Sequence, residues 1–298
     1  MRKEKDSMGY VEVPDNVYYG AQTKRAFDNF PISHTTLPLE LIHAIAIIKR
    51  SAAIVNHSLG KLSLKIRDAI IKAADEVIDG NLDDNFILDV FQTGSGTSSN
   101  MNVNEVIANR ANEILGGKIG VKSPVHPNDH VNMGQSSNDV IPSAIHISAK
   151  IAIGNKLIPN LKKTSIQLNK KIKEFNDVIK IGRTHLQDAT PITLGQEFSG
   201  YESSINNGIK RVTHSMLNLS KIAQGGTAVG TGINTHPEFG SMIASEISDY
   251  LKIDFKETTN HFEAQANQET AVEVSSALKA LAVAMSKIAN DIRLMGIS

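Results

Sequence analysis

The stretch Val274-Ser-Ser-Ala-Leu278-Lys-Ala-Leu281-Ala-Val-Ala-Met285-Ser-Lys-Ile288-Ala-Asn-Asp-Ile292-Arg-Leu-Met295 decides the fold. Its apolar residues alternate at spacings of four and three, which puts them on one stripe of a helix, as in a coiled-coil seam. The helical reading extends back to about Thr259. A second such stretch runs from Val140 to about Phe175, with Leu157, Leu161, Leu168, Ile172 and Phe175 on its seam. Pro142 lies near its start and Pro159 inside it, where proline predicts a kink. A third runs from about Leu194 to Ala223. Helices of about thirty residues reach about 45 Å, and rods of that length must bury their stripes on one another. The expected fold is all-α, built on a long helical bundle, with no convincing run of alternating strand residues and no repeat period.

The N-terminal part reads differently. Gly9, Pro14, Gly20, Pro31 and Pro38 deny a long helix before residue 39 and predict an ordered but irregular arm. From Leu39, apolar residues at 41, 42, 45, 48, 52, 55 and 59 mark one helical face closed by Gly60. Ser63 is the expected N-cap of a further amphipathic helix, running through Ile66, Ile70, Ala73 and Val77 to Gly80.

Composition removes several function classes. The 298 residues carry 31 basic and 31 acidic side chains, so no overall field draws the chain to nucleic acid or an anionic membrane. Hydrophobic residues make up 41%, enough for a substantial core. The absence of cysteine excludes disulfides, thiolate metal sites and a cysteine nucleophile. The start resembles neither a signal nor a transit peptide, and a cytoplasmic protein is expected.

Polar residues concentrate in a few clusters. Gly182-Arg183-Thr184-His185-Leu186-Gln187-Asp188-Ala189-Thr190-Pro191 sets one imidazole among small polar groups just before a long helix. An imidazole exchanges protons near neutrality, so His185 is a candidate acid/base, with the Thr184 hydroxyl beside it for a substrate oxygen. A histidine that merely caps or packs at a helix entry would look the same. Thr93-Gly94-Ser95-Gly96-Thr97-Ser98-Ser99 precedes a helical pattern and offers free N–H groups and hydroxyls at a helix end, where anions bind. A capping loop reads equally well. The Asn100, Asn102 and Asn104 run inside that helix is costly in propensity and points to tertiary contacts or a site. Gln135-Ser136-Ser137-Asn138-Asp139 opens another helix in the same manner. His126-Pro127-Asn128-Asp129 reads as a metal cluster or a turn; no metal is expected, on the reading that no second histidine falls at helical ligand spacing and that no cysteine is present. Gly225-Gly226-Thr227-Ala228-Val229-Gly230-Thr231-Gly232 lets backbone amides approach a ligand or a neighbouring chain, or serves as a plain loop.

Taken together, Gly20-Ala21-Gln22-Thr23 and the blocks at 93–105, 126–129, 135–139, 182–191 and 225–237 resemble class II (metal-independent) fumarate hydratase, of the fumarase/aspartase superfamily. The match keeps its order over nearly the whole chain. The resemblance implies an all-α subunit of three domains whose long central helices assemble with three others into a homotetramer. Each active site would draw on three subunits. Here it implies a mostly helical N-terminal domain with an extended arm over residues 1–138, and a central long-helix bundle over 139–298. The small C-terminal domain would be absent.

The implied activity is the reversible hydration of fumarate to L-malate, a tricarboxylic acid cycle step on a small dicarboxylate that needs no cofactor. By resemblance, Ser95, Gly96 and Thr97, with Ser136, Ser137 and Asn138, hold the substrate carboxylates. Thr184 binds substrate, and His185 activates water. His126, Pro127, Asn128 and Asp129 resemble the family's second, non-catalytic dicarboxylate site.

Some features depart from the family's pattern. Its mobile Gly-Ser-Ser-x-Met-Pro-x-Lys-x-Asn loop, which carries the carbon-acid base, has no counterpart in residues 1–298. Little or no turnover by the chain alone is therefore expected. Gly134 stands where a serine is expected, Met133 where a lysine is usual, and Ser123 near where an arginine often assists the second site. A non-catalytic remnant or fragment of such an enzyme is the alternative. Aspartate ammonia-lyase fits less well, since its relatives usually carry Gln in place of His185 and Asn-Pro-Asn-Asp in place of residues 126–129.

Overall fold

The computed structural model describes residues 1–296. Strands β1 (Arg2–Asp6) and β2 (Gly9–Val13) form an antiparallel hairpin. Helices α1 (Ala21–Asn29), α2 (Leu39–Ser58), α3 (Leu64–Ile78), α4 (Thr97–Ile114), α5 (Ser137–Ala152) and α6 (Ile158–Glu174) follow. A second antiparallel hairpin, β3 (Ile179–Thr184) and β4 (Gln187–Thr193), leads into α7 (Leu194–Ser215). The chain continues through β5 (Lys221–Ile222), α8 (Phe239–Leu251), β6 (Lys256–Glu257), α9 (His261–Ala266) and α10 (Glu269–Met295). The all-α class holds, and among the described residues the strands form two-stranded pairs.

Two compact units result, the first from Met1–Ser148 and Ser220–Asn267, the second from Ala149–Leu219 and Gln268–Ser298. In the first unit α2 packs against α3, α4 and α8. The sequence presents α2 as a helix with one apolar face. Its neighbours instead bury it on most sides, so Ala46, Ile47, Lys49 and Ala53 are buried along with the expected Ile42, Ile45, Ile48, Ala52 and Val55. Ser63 caps α3 as expected, its Oγ accepting from Ile66 N at 3.4 Å.

The N-terminal arm is more regular than its breakers imply, since it contains a hairpin and a nine-residue helix. Arg2 staples it, donating to the carbonyls of Pro14, Val17 and Tyr19. The first turn of α1 docks on the buried carboxylate of Glu105, which accepts from Gly20 N (2.8 Å), Gln22 N (2.9 Å), Thr23 N (3.1 Å) and Thr23 Oγ1 (2.7 Å). Burial pushes the Glu105 carboxyl up, and these donors pull it back. Gly20 is needed here because a Cβ would lie 2.7 Å from Glu4 Oε2 and 2.8 Å from Glu105 Oε1.

In the second unit Ile153, Leu161, Ile205, Val212, Leu219, Val274 and Leu281 form a core, flanked by Leu157, Leu168, Leu278 and Ile288. Full burial of such a side chain stabilises by about 1.5–3 kcal/mol. Gly208 on α7 lets α10 approach closely, since a Cβ there would meet Leu281 Cδ1 at 2.7 Å. The expected kink takes the form of a π-turn at Ile153–Leu157 immediately before α6, with Pro159 in the first turn of that helix. Proline has no N–H and its ring clashes with the carbonyl four residues back, so the extra residue of the π-turn falls where the ladder is already broken. The seam of α10 is only half used. Val274 and Leu281 point into the core, whereas Met285, Ile292 and Met295 are exposed.

Candidate active site

In the first unit, Gly96 ends the loop before α4 in the left-handed region at φ 69°, and a Cβ there would lie 2.9 Å from Ile141 Cγ1. This turn brings three hydroxyls into a chain. Ser95 Oγ lies 2.9 Å from Thr97 Oγ1, which lies 2.8 Å from Ser137 Oγ at the start of α5. The first turn of α4 is less open than the sequence implies. Thr93 Oγ1 accepts from Ser98 N at 3.3 Å and Gln92 Oε1 accepts from Ser99 N at 2.9 Å, so the loop's side chains cap amides expected to be free.

Ser136 and Asp139 close the start of α5 reciprocally. Ser136 Oγ accepts from Asn138 N at 3.3 Å and Asp139 Oδ1 accepts from Ser136 N at 2.9 Å, a capping-box arrangement. Asn138 donates from Nδ2 to Ala228 O at 2.6 Å. Ser95, Thr97 and Ser137 thus form one run of hydroxyls, with Ser136 and Asn138 flanking Ser137 in the same turn; hydroxyls of this kind suit carboxylate oxygens.

Lys49 lies under this turn. It is fully buried, and its Nζ donates to Asn132 Oδ1 (2.8 Å) and Gln135 Oε1 (3.0 Å). Burial pushes its ammonium down to about 7, with the charge of Asp139 acting the other way. Asp139 is also fully buried, and desolvation lifts its carboxyl to about 7 against hydrogen bonds from the Ser136 and Thr227 amides.

Thr184 and His185 belong to the second unit. His185 and Leu186 are the two turn residues of the β3–β4 hairpin, both exposed, and no hydrogen bond to the His185 ring is present among the described residues. His185 lines a cleft of about 480 Å³ with Lys180, Arg183, Glu197, Lys287 and Asp291. Lys180 pairs with Glu197 and Lys287 with Asp291. Tyr201 Oη lies 3.1 Å from both Glu197 Oε1 and Asp291 Oδ2.

His126 caps a π-turn at Pro127–Val131, its Nδ1 accepting from Asn128 N and Asp129 N. That acceptor role leaves Nε2 to carry the proton of the neutral ring. Asn128 and Asp129 are exposed and Pro127 is buried. His130, four residues beyond His126, does stand at helical ligand spacing, which corrects the expectation that no second histidine falls there. Its Nδ1 turns back to accept from His126 N at 2.8 Å, and burial pushes the ring's pKa down. Among the described residues no group of three or more His, Asp or Glu side chains is placed to hold a metal ion.

A family model described as "Lyase" matches residues 9–298. The chain belongs to this lyase family. Over 297 residues it is 57% identical to the mitochondrial fumarate hydratase of Saccharomyces cerevisiae, covering 99% of this chain and 61% of that protein. The class II fumarate hydratase of Neisseria meningitidis is 52% identical over 98% of this chain and 63% of its own length. The crystal structure of recombinant class II fumarase from Schistosoma mansoni superposes with a TM-score of 0.94 at 40% identity, over 97% of this chain and 64% of that one. The chain therefore spans about three fifths of the relatives it matches. No helix among the described residues is long and apolar enough to cross a membrane.

The sequence reading singled out the hydroxyls but passed over Lys49. Lys49 had a visible signal, since it lies on the apolar face of α2 among Ile45, Ile48 and Ala52, where a charge is out of place.

Proposed function

We propose that the chain supplies the carboxylate-binding and water-activating parts of a class II fumarate hydratase site, for the reversible hydration of fumarate to L-malate in the tricarboxylic acid cycle. The observation that carries this reading is the hydroxyl chain Ser95–Thr97–Ser137 at the helix ends, in a sequence 57% identical to a fumarate hydratase.

Hydration adds hydroxyl to one carbon and a proton to the next. In the reverse direction a base removes a weakly acidic C–H, and charge moves into the adjacent carboxylate. Donors already in place for that oxygen lower the barrier. Ser95, Gly96, Thr97, Ser136, Ser137, Asn138 and Thr184 are assigned to the substrate, and His185 to the proton of the attacking water or leaving hydroxyl. His126, Pro127, Asn128 and Asp129 are assigned to a second dicarboxylate site. No cofactor takes part.

The same reading makes the working form a cytoplasmic homotetramer, with residues 1–138 as N-terminal domain and 139–298 as central helices. Three subunits would contribute to each site. The exposed Val272, Val283, Met285, Ile292 and Leu294 of α10 support assembly on that helix.

Loss of fumarate absorbance tests the reading, in this chain and in a chain extended through the Gly-Ser-Ser loop. The extended chain is expected to hydrate fumarate, to lose at least about 100-fold with His185→Asn, and to release no ammonia from aspartate. Ammonia release, or hydration indifferent to His185, would overturn it.

A further inference from the structure

The Gly225–Gly232 loop is a motif to which the proposed function assigns no role. In the structure it is tied to the serine turn through one buried carboxylate. Asp139 Oδ1 accepts from Ser136 N at 2.9 Å and from Gln224 Nε2 at 3.3 Å, while Oδ2 accepts from Thr227 N at 2.8 Å. Capping α5 uses only the first of these oxygens. The second reaches 88 residues along the chain to a residue in an unfavourable conformation, Thr227, at φ 56°. A non-glycine residue there costs about 1 kcal/mol. A second tie runs the same way, from Asn138 Nδ2 to Ala228 O at 2.6 Å. Lys49 fixes the approach to the turn from below through Asn132 and Gln135.

We propose that Asp139 is a positioning residue that clamps the Gly225–Gly232 loop onto the Ser136–Asn138 turn, making the glycine loop a wall of the dicarboxylate site. This rests on the fumarate-hydrating reading. Asp139 does not touch substrate. It acts by holding two backbone segments at a fixed separation, with the Asn138 side chain spanning the gap between them.

The test compares Asp139→Asn with Ser143→Ala. Ser143 is a buried hydroxyl that donates to Asp139 O and accepts from Ala223 N, so its loss weakens the same region and leaves all three carboxylate bonds intact. In Asp139→Asn the side-chain NH₂ must face one of the two amides. Amide exchange in residues 225–232 is expected to quicken at least about tenfold, the equivalent of one charge-assisted hydrogen bond, with α2 and α3 unchanged. In the hydration assay of the chain extended through the Gly-Ser-Ser loop, KM for fumarate is expected to rise about tenfold at nearly constant kcat. Ser143→Ala should do neither. Unchanged exchange at 225–232, or a KM that moves equally in both variants, would overturn the clamp.

Should Asp139→Asn fail to fold, the wild-type chain decides the matter. Added fumarate is expected to slow exchange in 136–138 and 225–232 together, and protection of 136–138 alone refutes the wall. If the extended wild-type chain neither binds nor hydrates fumarate, the parent reading fails, while the exchange comparison still decides the clamp.

Discussion

His185 and Leu186 adopt left-handed backbone conformations in succession, φ 53° and 61°, to make the two-residue turn of the β3–β4 hairpin. Turns of this kind favour Asn-Gly, and a branched residue pays in backbone strain for occupying one. Leu186→Gly is therefore expected to stabilise the chain by about 1 kcal/mol, read as a rise in the thermal midpoint. His185→Gly should stabilise similarly and abolish hydration. Under the proposed function, the strain at His185 is tolerated for its proton chemistry.

Glu105 satisfies three amides and a hydroxyl of the α1 entry. Glu105→Gln turns an NH₂ toward donors that need an acceptor, and is expected to cost about 3 kcal/mol. Urea unfolding measures the loss, and proteolysis before residue 30 should accelerate with it.

Gly208→Ala places a methyl against Leu281 where the helices touch. Overpacking at that contact is expected to cost about 2 kcal/mol. The simultaneous change Leu281→Val should recover part of it, which a double-mutant cycle would show.

How much of this was legible varied by element. The seam of α10 was visible because helix periodicity is local, and Ser63 and Pro159 acted as the sequence implies. The β3–β4 hairpin was hidden, because its turn is His185-Leu186 rather than a glycine pair, so the usual hairpin signal is missing. The hydroxyl residues of the candidate site were legible, since polar residues at helix starts stand out. The carboxylate that joins two of those segments was not, because no local pattern links Asp139 to Thr227.

Lys49 and Asp139 give the pair an opposed pH dependence. Asp139 rises from 3.8 to about 7, so its contribution to stability is full below about pH 4 and is lost as pH rises through 7. Lys49 falls from 10.5 to about 7, so its contribution is full above about pH 10.5 and is lost as pH falls through 7. The pair should therefore give the wild type a stability minimum near neutrality. Asp139→Asn is expected to remove the acid limb and Lys49→Met the alkaline limb. Denaturant midpoints at about pH 5, 7 and 9 check both.

The bond from Thr227 to Asp139 also orders events in time. On the ribosome, α5 emerges long before residue 227, so a nascent chain holding Ser136, Ser137 and Asn138 has their local cap but lacks the ties to Thr227 and Ala228. Only when synthesis passes the glycine loop can that segment return and lock, and closing so long a loop is slow compared with winding a helix. The join between the serine turn and the glycine loop is thus among the last parts of its unit to mature, and a chain interrupted before residue 227 would carry those hydroxyls without the loop beside them.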